Sequence, residues 1–204
     1  MDTILYLNNK RFVQQEFVLE KEYEKIVIEN SKTLFGQNSL IIDAKRKIAT
    51  QFLGGTIPDC FLLYLNDPEN PEFFIVEVEL AKHNFFGHIF PQITKFFAFF
   101  KNQDAQNKLI EKLYEIFDKD DELKKELKSK IGNREIYKFI KDMVENSQNI
   151  LLILDNEKKE LPEIINTYTD TWGKIVKVAI LKNYVNGNDN ILIQRFRGFQ
   201  NQVL

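Results

Sequence analysis

Two periods alternate along this 204-residue chain, and the points where they switch mark out its elements. In "EFVLEKEYEKIVIENS", positions 16 to 31, Leu19, Tyr23, Ile26, Val27 and Asn30 share one helical face, with Glu16, Glu20 and Glu24 as an i, i+4 stripe beside it. The run "SLIIDAKRKIA" reads as a strand, the Gly-Gly of "FLGGTIPDCFLLYL" as a turn, and "CFLLYL" as a second strand. A third strand, "PEFFIVEVEL", gives way to helical spacing in "FPQITKFFAFFKN", where Pro91 fits a first turn. From Gln106 to Asn146 the pattern is helical and densely charged, with a break at Gly132-Asn133. "NILLILD" then reads as a strand buried on both faces and "LPEIINTYTDTWGK" as a helix. "IVKVAILKNYV" and "NILIQRFRG" read as strands around the turn "NGND".

The order α-β-β-β-α, helical stretch, β-α-β-β predicts an α/β fold with a central mixed β-sheet flanked by helices. One domain over 1–204 is expected, its core at about 16–100 and 148–200 and a charged helical insertion at about 104–146. Composition fits a packed core: 44% of residues are hydrophobic, and 18 Phe stand against only 8 Gly and 5 Pro. The lone Cys60 cannot form an internal disulfide, and "MDTILYLNNKRF" lacks the pattern of a secretory signal, so the cytoplasm is the expected compartment. No apolar run reaches the roughly 20 residues of a membrane helix, and no membrane partner is expected. A net charge of -2 leaves a nucleic-acid partner open, because such binding depends on a local basic patch.

The third strand breaks its own pattern. Glu77 and Glu79 lie two apart, on one side of a strand whose other side carries Val76, Val78 and Leu80. A buried carboxylate needs a cation, a donor network or a proton. Asp59, at the head of the preceding strand, adds a third acid, and such an oxygen-rich set suits Mg²⁺. The plainer alternative is that these are edge-strand acids facing water or pairing with Lys45, Arg46 or Lys82.

Pro58-Asp59, about 18 residues, and then Glu77-Val78-Glu79 resembles the PD-(D/E)xK nuclease superfamily, with Glu in place of the usual Lys. The likeness runs over roughly residues 16 to 100 and implies a restriction-endonuclease-like core. It implies Asp59 and Glu77 as Mg²⁺ ligands (Mn²⁺ as substitute), Glu79 in the Lys position, and Glu20 or Glu24 as the acid from the first helix. Gln92 resembles the Gln of a Q-x-x-x-Y helix motif, with Phe96 where Tyr is expected. Lys82, His88 and Lys95 are the residues assigned to nucleic-acid contact. His83 and His88 lack the Cys or third His of a zinc site and are read as capping the turn or lining the cleft.

The implied activity is metal-dependent hydrolysis of phosphodiester bonds, in DNA rather than RNA, in defence or repair. A homodimer would supply the two sites needed to cut both strands. The alternative is an inactive nucleic-acid-binding or regulatory module of the same fold.

Overall fold

The computed structural model describes residues 3–47 and 57–197 of the chain. It opens with a hairpin that the sequence pattern did not announce, β1 (Ile4–Leu7) and β2 (Lys10–Gln14). Asn8 and Asn9 both take positive φ, 49° and 60°, as a two-residue hairpin loop requires, and Asn tolerates that conformation better than most residues. The first helix then breaks in two: α1 (Glu20–Glu29) and α2 (Ser31–Phe35) meet at Asn30. β3 (Leu40–Asp43) runs into the short helix α3 (Ala44–Lys47), where a strand continuing through "AKRKIA" was expected. The Gly54-Gly55 turn lies outside the described residues, as do the side chains of Arg46 and Arg197.

β4 (Cys60–Tyr64) and β5 (Glu72–Glu79) follow, then a π-helical turn at Phe85–Ile89 that leads into α4 (Phe90–Phe100), with Pro91 in its first turn. The charged stretch folds as α5 (Gln103–Lys119), α6 (Asp121–Ile131) and α7 (Ile136–Asn146), with Gly132 at positive φ ending α6. β6 (Asn149–Leu154), α8 (Leu161–Thr167), β7 (Val176–Asn186) and β8 (Asp189–Arg197) complete the described elements.

One mixed sheet takes in every described strand, in the order β1-β2-β7-β6-β5-β4-β3, with β8 also paired to β7. β5, β6 and β7 are parallel, while β3, β4 and β5 are antiparallel neighbours. Helices cover both faces, which is the α/β architecture the element order predicts. On one face α1 and α2 pack Tyr23, Val27, Leu34 and Phe35 against Val76, Val78 and Leu80. On the other, α4 to α8 and the turn after α8 pack Ile93, Phe96, Leu109, Phe139 and Trp172 against Phe61, Phe73, Ile75, Ile150 and Leu152. Each such buried side chain contributes roughly 1.5–3 kcal/mol. The phenylalanines of α4 mostly belong to this core. Tyr168 is exposed beside buried Trp172, where its helix ends in a π-helical turn, Thr169–Gly173. Among the described residues no helix is long and apolar enough to cross a membrane.

Candidate metal centre

β3 ends, β4 begins and β5 ends at the same edge of the sheet. The antiparallel register sets Asp43 opposite Cys60 and Cys60 opposite Val76, so Asp59 comes level with Glu77. The Ala44 N–H donates to the Asp59 carbonyl (3.1 Å), holding the start of α3, and Lys45 with it, beside that acid. α1 packs across β5 and delivers Glu20 and Glu24 to the same end. The turn after β5, the π-helical turn and the first turn of α4 bring His83, His88 and Gln92, respectively, over the end of β5. The carboxyl ends of parallel strands, which β5 shares with β6, are where open α/β sheets commonly bind ligands.

Asp59, Glu77 and Glu79 are each no more than 2% exposed. Asp59 accepts a hydrogen bond from the Val78 N–H (2.6 Å) on Oδ2 and forms an ion pair with Lys45 through Oδ1. The Lys45 ammonium also reaches Glu24 (2.8 Å) and Glu20 (3.8 Å). The Gln92 amide donates to Oε1 of Glu77, whose Oε2 has no hydrogen-bond partner among the described residues. The two oxygens of Glu79 face one imidazole each: His83 Nδ1 at 2.6 Å and His88 Nε2 at 2.9 Å.

Among the described residues, acids therefore outnumber the fixed cations that meet them. Burial first, then the charges of Asp59 and Glu79, pushes Glu77 well above the carboxylate range. Burial, reinforced by Glu79 and Asp59, lifts Glu20 to about 8. Asp59 is pushed up to about 7 by burial, against the pull of Lys45. Burial alone would lower the Lys45 ammonium, but Asp59 beside it carries its pKa above the ordinary value. Without a further cation, protons fill the gap.

Two donor sets overlap on Glu20. Glu20, Glu24 and Asp59 form one, all oxygen; Glu20, Glu79, His83 and His88 form the other, and within each set the ligand atoms lie within 4.8 Å of one another. The first set fits a hard divalent ion, which takes oxygen ligands, and the orphaned Glu77 Oε2 is a buried acceptor that lacks a cation or donor among the described residues. Lys45 partly fills a cation's role for the first set by pairing with Asp59 and Glu24, yet its side chain is 44% exposed.

Of the residues predicted from sequence, Asp59, Glu77, Glu79, Gln92, Glu20 and Glu24 come together here. Both helix acids join, where one was expected; Glu77 belongs to neither donor set. β5 lies between β4 and β6, so the edge-strand alternative for its acids fails. Its other half holds for one pair, since Lys45 does pair with Asp59. His88 contacts Glu79. Lys82 turns elsewhere, donating to the carbonyls of Phe17 (3.0 Å) and Val18 (2.7 Å) ahead of α1. Lys95 stands exposed on α4, one turn past Gln92.

Sequence reasoning undervalued Lys45 and His83. Lys45 reaches the acids only through the β3–β4 pairing, although three buried acids without a lysine among them already called for a cation from another element. His83 is four residues beyond Glu79, a spacing that becomes a contact because the chain turns straight after the strand. Comparison of the chain with protein-family models, curated proteins and solved structures finds no match in any of the three.

Proposed function

We propose that this protein is a divalent-metal-dependent nuclease that hydrolyses phosphodiester bonds in DNA, with its reaction centre at the end of β5. The observation that carries the reading is the burial of Asp59, Glu77 and Glu79 at one point with a single ammonium, Lys45, ion-paired there among the described residues. Burying charge without full compensation costs several kcal/mol, so three buried acids that share one ammonium are an arrangement a fold keeps for a bound cation.

Asp59, Glu20 and Glu24 would hold Mg²⁺ or Mn²⁺. The chemistry supplied by a divalent ion at such a site is polarisation of the phosphate and a lowered pKa for the attacking water. The Gln92 amide holds the Glu77 carboxyl in one orientation. Lys45 supplies the ammonium that the resemblance places at position 79; partly exposed, it remains open to an incoming phosphate oxygen. A groove lined by Leu19, Glu24, Ile28, Asp43 and Lys45 opens beside the acids. With Lys82 committed to backbone carbonyls, Lys95 is the remaining predicted lysine able to meet a nucleic-acid backbone.

The test is incubation of purified protein with linear, circular, branched and single-stranded DNA, and with RNA, in Mg²⁺ or Mn²⁺. Cleavage of DNA that chelation stops and Asp59→Ala removes supports the reading. Cleavage of RNA alone would move the substrate class. Absence of cleavage on every substrate would overturn the enzyme, and metal-independent DNA binding would then favour the binding module.

A further inference from the structure

We propose that Glu20, Glu79, His83 and His88 form a second cation site, of mixed nitrogen and oxygen donors, that selects a first-row transition ion such as Mn²⁺, Fe²⁺, Co²⁺ or Zn²⁺ over Mg²⁺. It rests on reading this end of the sheet as a metal centre, but not on phosphodiester hydrolysis.

The four donors cluster near the spacing of a ligand shell, with His83 Nδ1 and Glu79 Oε2 drawn closer, to hydrogen-bond distance. Donors bonded to one ion at roughly 2.1 Å sit about 3–4.3 Å apart. These four ligand atoms all fall within 4.8 Å of one another, with His83 Nδ1 3.5 Å from Glu20 Oε2. Glu79 is 1% exposed, and its two oxygens face two different imidazoles. Although His88 Nε2 lies 2.9 Å from Glu79 Oε1, the contact lacks hydrogen-bond alignment, and that buried oxygen has no hydrogen-bond donor among the described residues. The two rings meet edge to face, with centroids 5.2 Å apart and planes at 82°, so they converge on one carboxylate from different directions.

The backbone is built to keep them there. The π-helical turn Phe85–Ile89 brings His88 back over Glu79, and the Asn84 side chain caps it by accepting from the Gly87 N–H. π-helical turns recur at functional sites. From the β6–α8 connection, the Lys158 ammonium donates to the carbonyls of Ala81 (2.7 Å) and His83 (2.5 Å), fixing the segment that presents His83. Such outer support is what orients metal-binding imidazoles.

Donor chemistry selects the ion. Mg²⁺ demands oxygen, whereas imidazole suits Mn²⁺ through Zn²⁺ in the first transition row. Two carboxylates with two neutral imidazoles balance one divalent charge. Sharing Glu20 with the all-oxygen set would make this carboxylate a bridge between unlike ions.

Titration of metal-free protein with Co²⁺ tests this, read by visible absorption and calorimetry, with pulsed EPR of Mn²⁺-loaded protein for nitrogen coupling. The expected results are visible Co²⁺ bands, ¹⁴N coupling from imidazole, and a loss of Co²⁺ affinity of about tenfold or more in His83→Gln and in His88→Gln. Mg²⁺ binding should survive both substitutions. An unchanged Co²⁺ titration in the double variant, or no nitrogen coupling in the unaltered protein loaded with two Mn²⁺ ions per chain, would overturn the site. The EPR result decides even if the variants misfold. A protein that binds Co²⁺ this way yet cleaves nothing would sink the nuclease and leave the site standing.

Discussion

The helical stretch α5 to α7 and the end of β5 are both rich in charge, and they treat it in opposite ways. In the helices, charges sit in water and pair with neighbours: Glu115 with Lys112 and Lys119, Lys124 with Asp118. Glu115 is held below the ordinary carboxylate range by its hydrogen bond and ion pair with Lys112, and Glu135 by the backbone N–H groups of Lys138 and Tyr137 that it caps. At the end of β5, fewer acids are buried together and shifted the other way: Glu77, Glu20 and Asp59 all rise. Abundance of charge marks a solvated surface; burial of charge against its own preference marks a place prepared for something else.

The largest expected effect that separates the two regions is on turnover. Asp59→Ala should lower metal-dependent DNA cleavage about a hundredfold or more, the loss of several kcal/mol of transition-state stabilisation. Glu115→Gln should leave it unchanged. Parallel rates for the two variants, measured on one substrate, would erase the distinction.

Metal-linked stability comes next. Mn²⁺ at about a hundred times its dissociation constant should stabilise the protein by about 2.7 kcal/mol, or several degrees in Tm. Asp59→Asn should abolish most of that gain, and Glu115→Gln none of it. Thermal melts with and without metal provide the check.

The pH dependence should have opposite signs in the two regions. Folded Asp59 keeps its proton to about pH 7, whereas the unfolded carboxyl releases it near 3.8. The folded state thus binds more protons across that window, and the stability Asp59 contributes is complete below it and fades as pH rises through 7. Glu20, lifted to about 8, extends the loss further. Metal-free protein should therefore lose stability between about pH 5 and 9, and Glu77→Gln, which cannot ionise, should flatten the decline. Glu115 and Glu135 act the other way, since their depressed values give stability that acid removes. Melting curves across pH that rise from 5 to 9 without metal would contradict the assignment.

The smallest effect is expected in the helices themselves. Removing the exposed Lys124–Asp118 pair should shift Tm by about a degree or less, and salt should mask it.

Much of this contrast was legible in the sequence. Glu77 and Glu79 announced themselves by standing in an apolar strand at a spacing of two, and Gly132 announced the break between α6 and α7. The acids came together as expected because strand register follows from alternation. Other features depended on contacts between distant segments. Lys45 looks like any lysine after a strand until β3 pairs with β4, and Lys82 looks like a phosphate ligand until the chain before α1 passes beneath it. The β1–β2 hairpin stayed hidden because its loop is Asn-Asn rather than the expected Asn-Gly, and its strands are exposed along most of their length.

The most direct test of the central claim, that the buried acids at the end of β5 exist to hold a divalent cation, is a crystal soaked in Mn²⁺ and measured at a wavelength where Mn scatters anomalously. The account predicts anomalous peaks within bonding distance, about 2.2 Å, of Asp59 and of the Glu79 carboxylate. A well-ordered site with no anomalous density, the acids still paired only to Lys45, Gln92 and the two histidines, would contradict it.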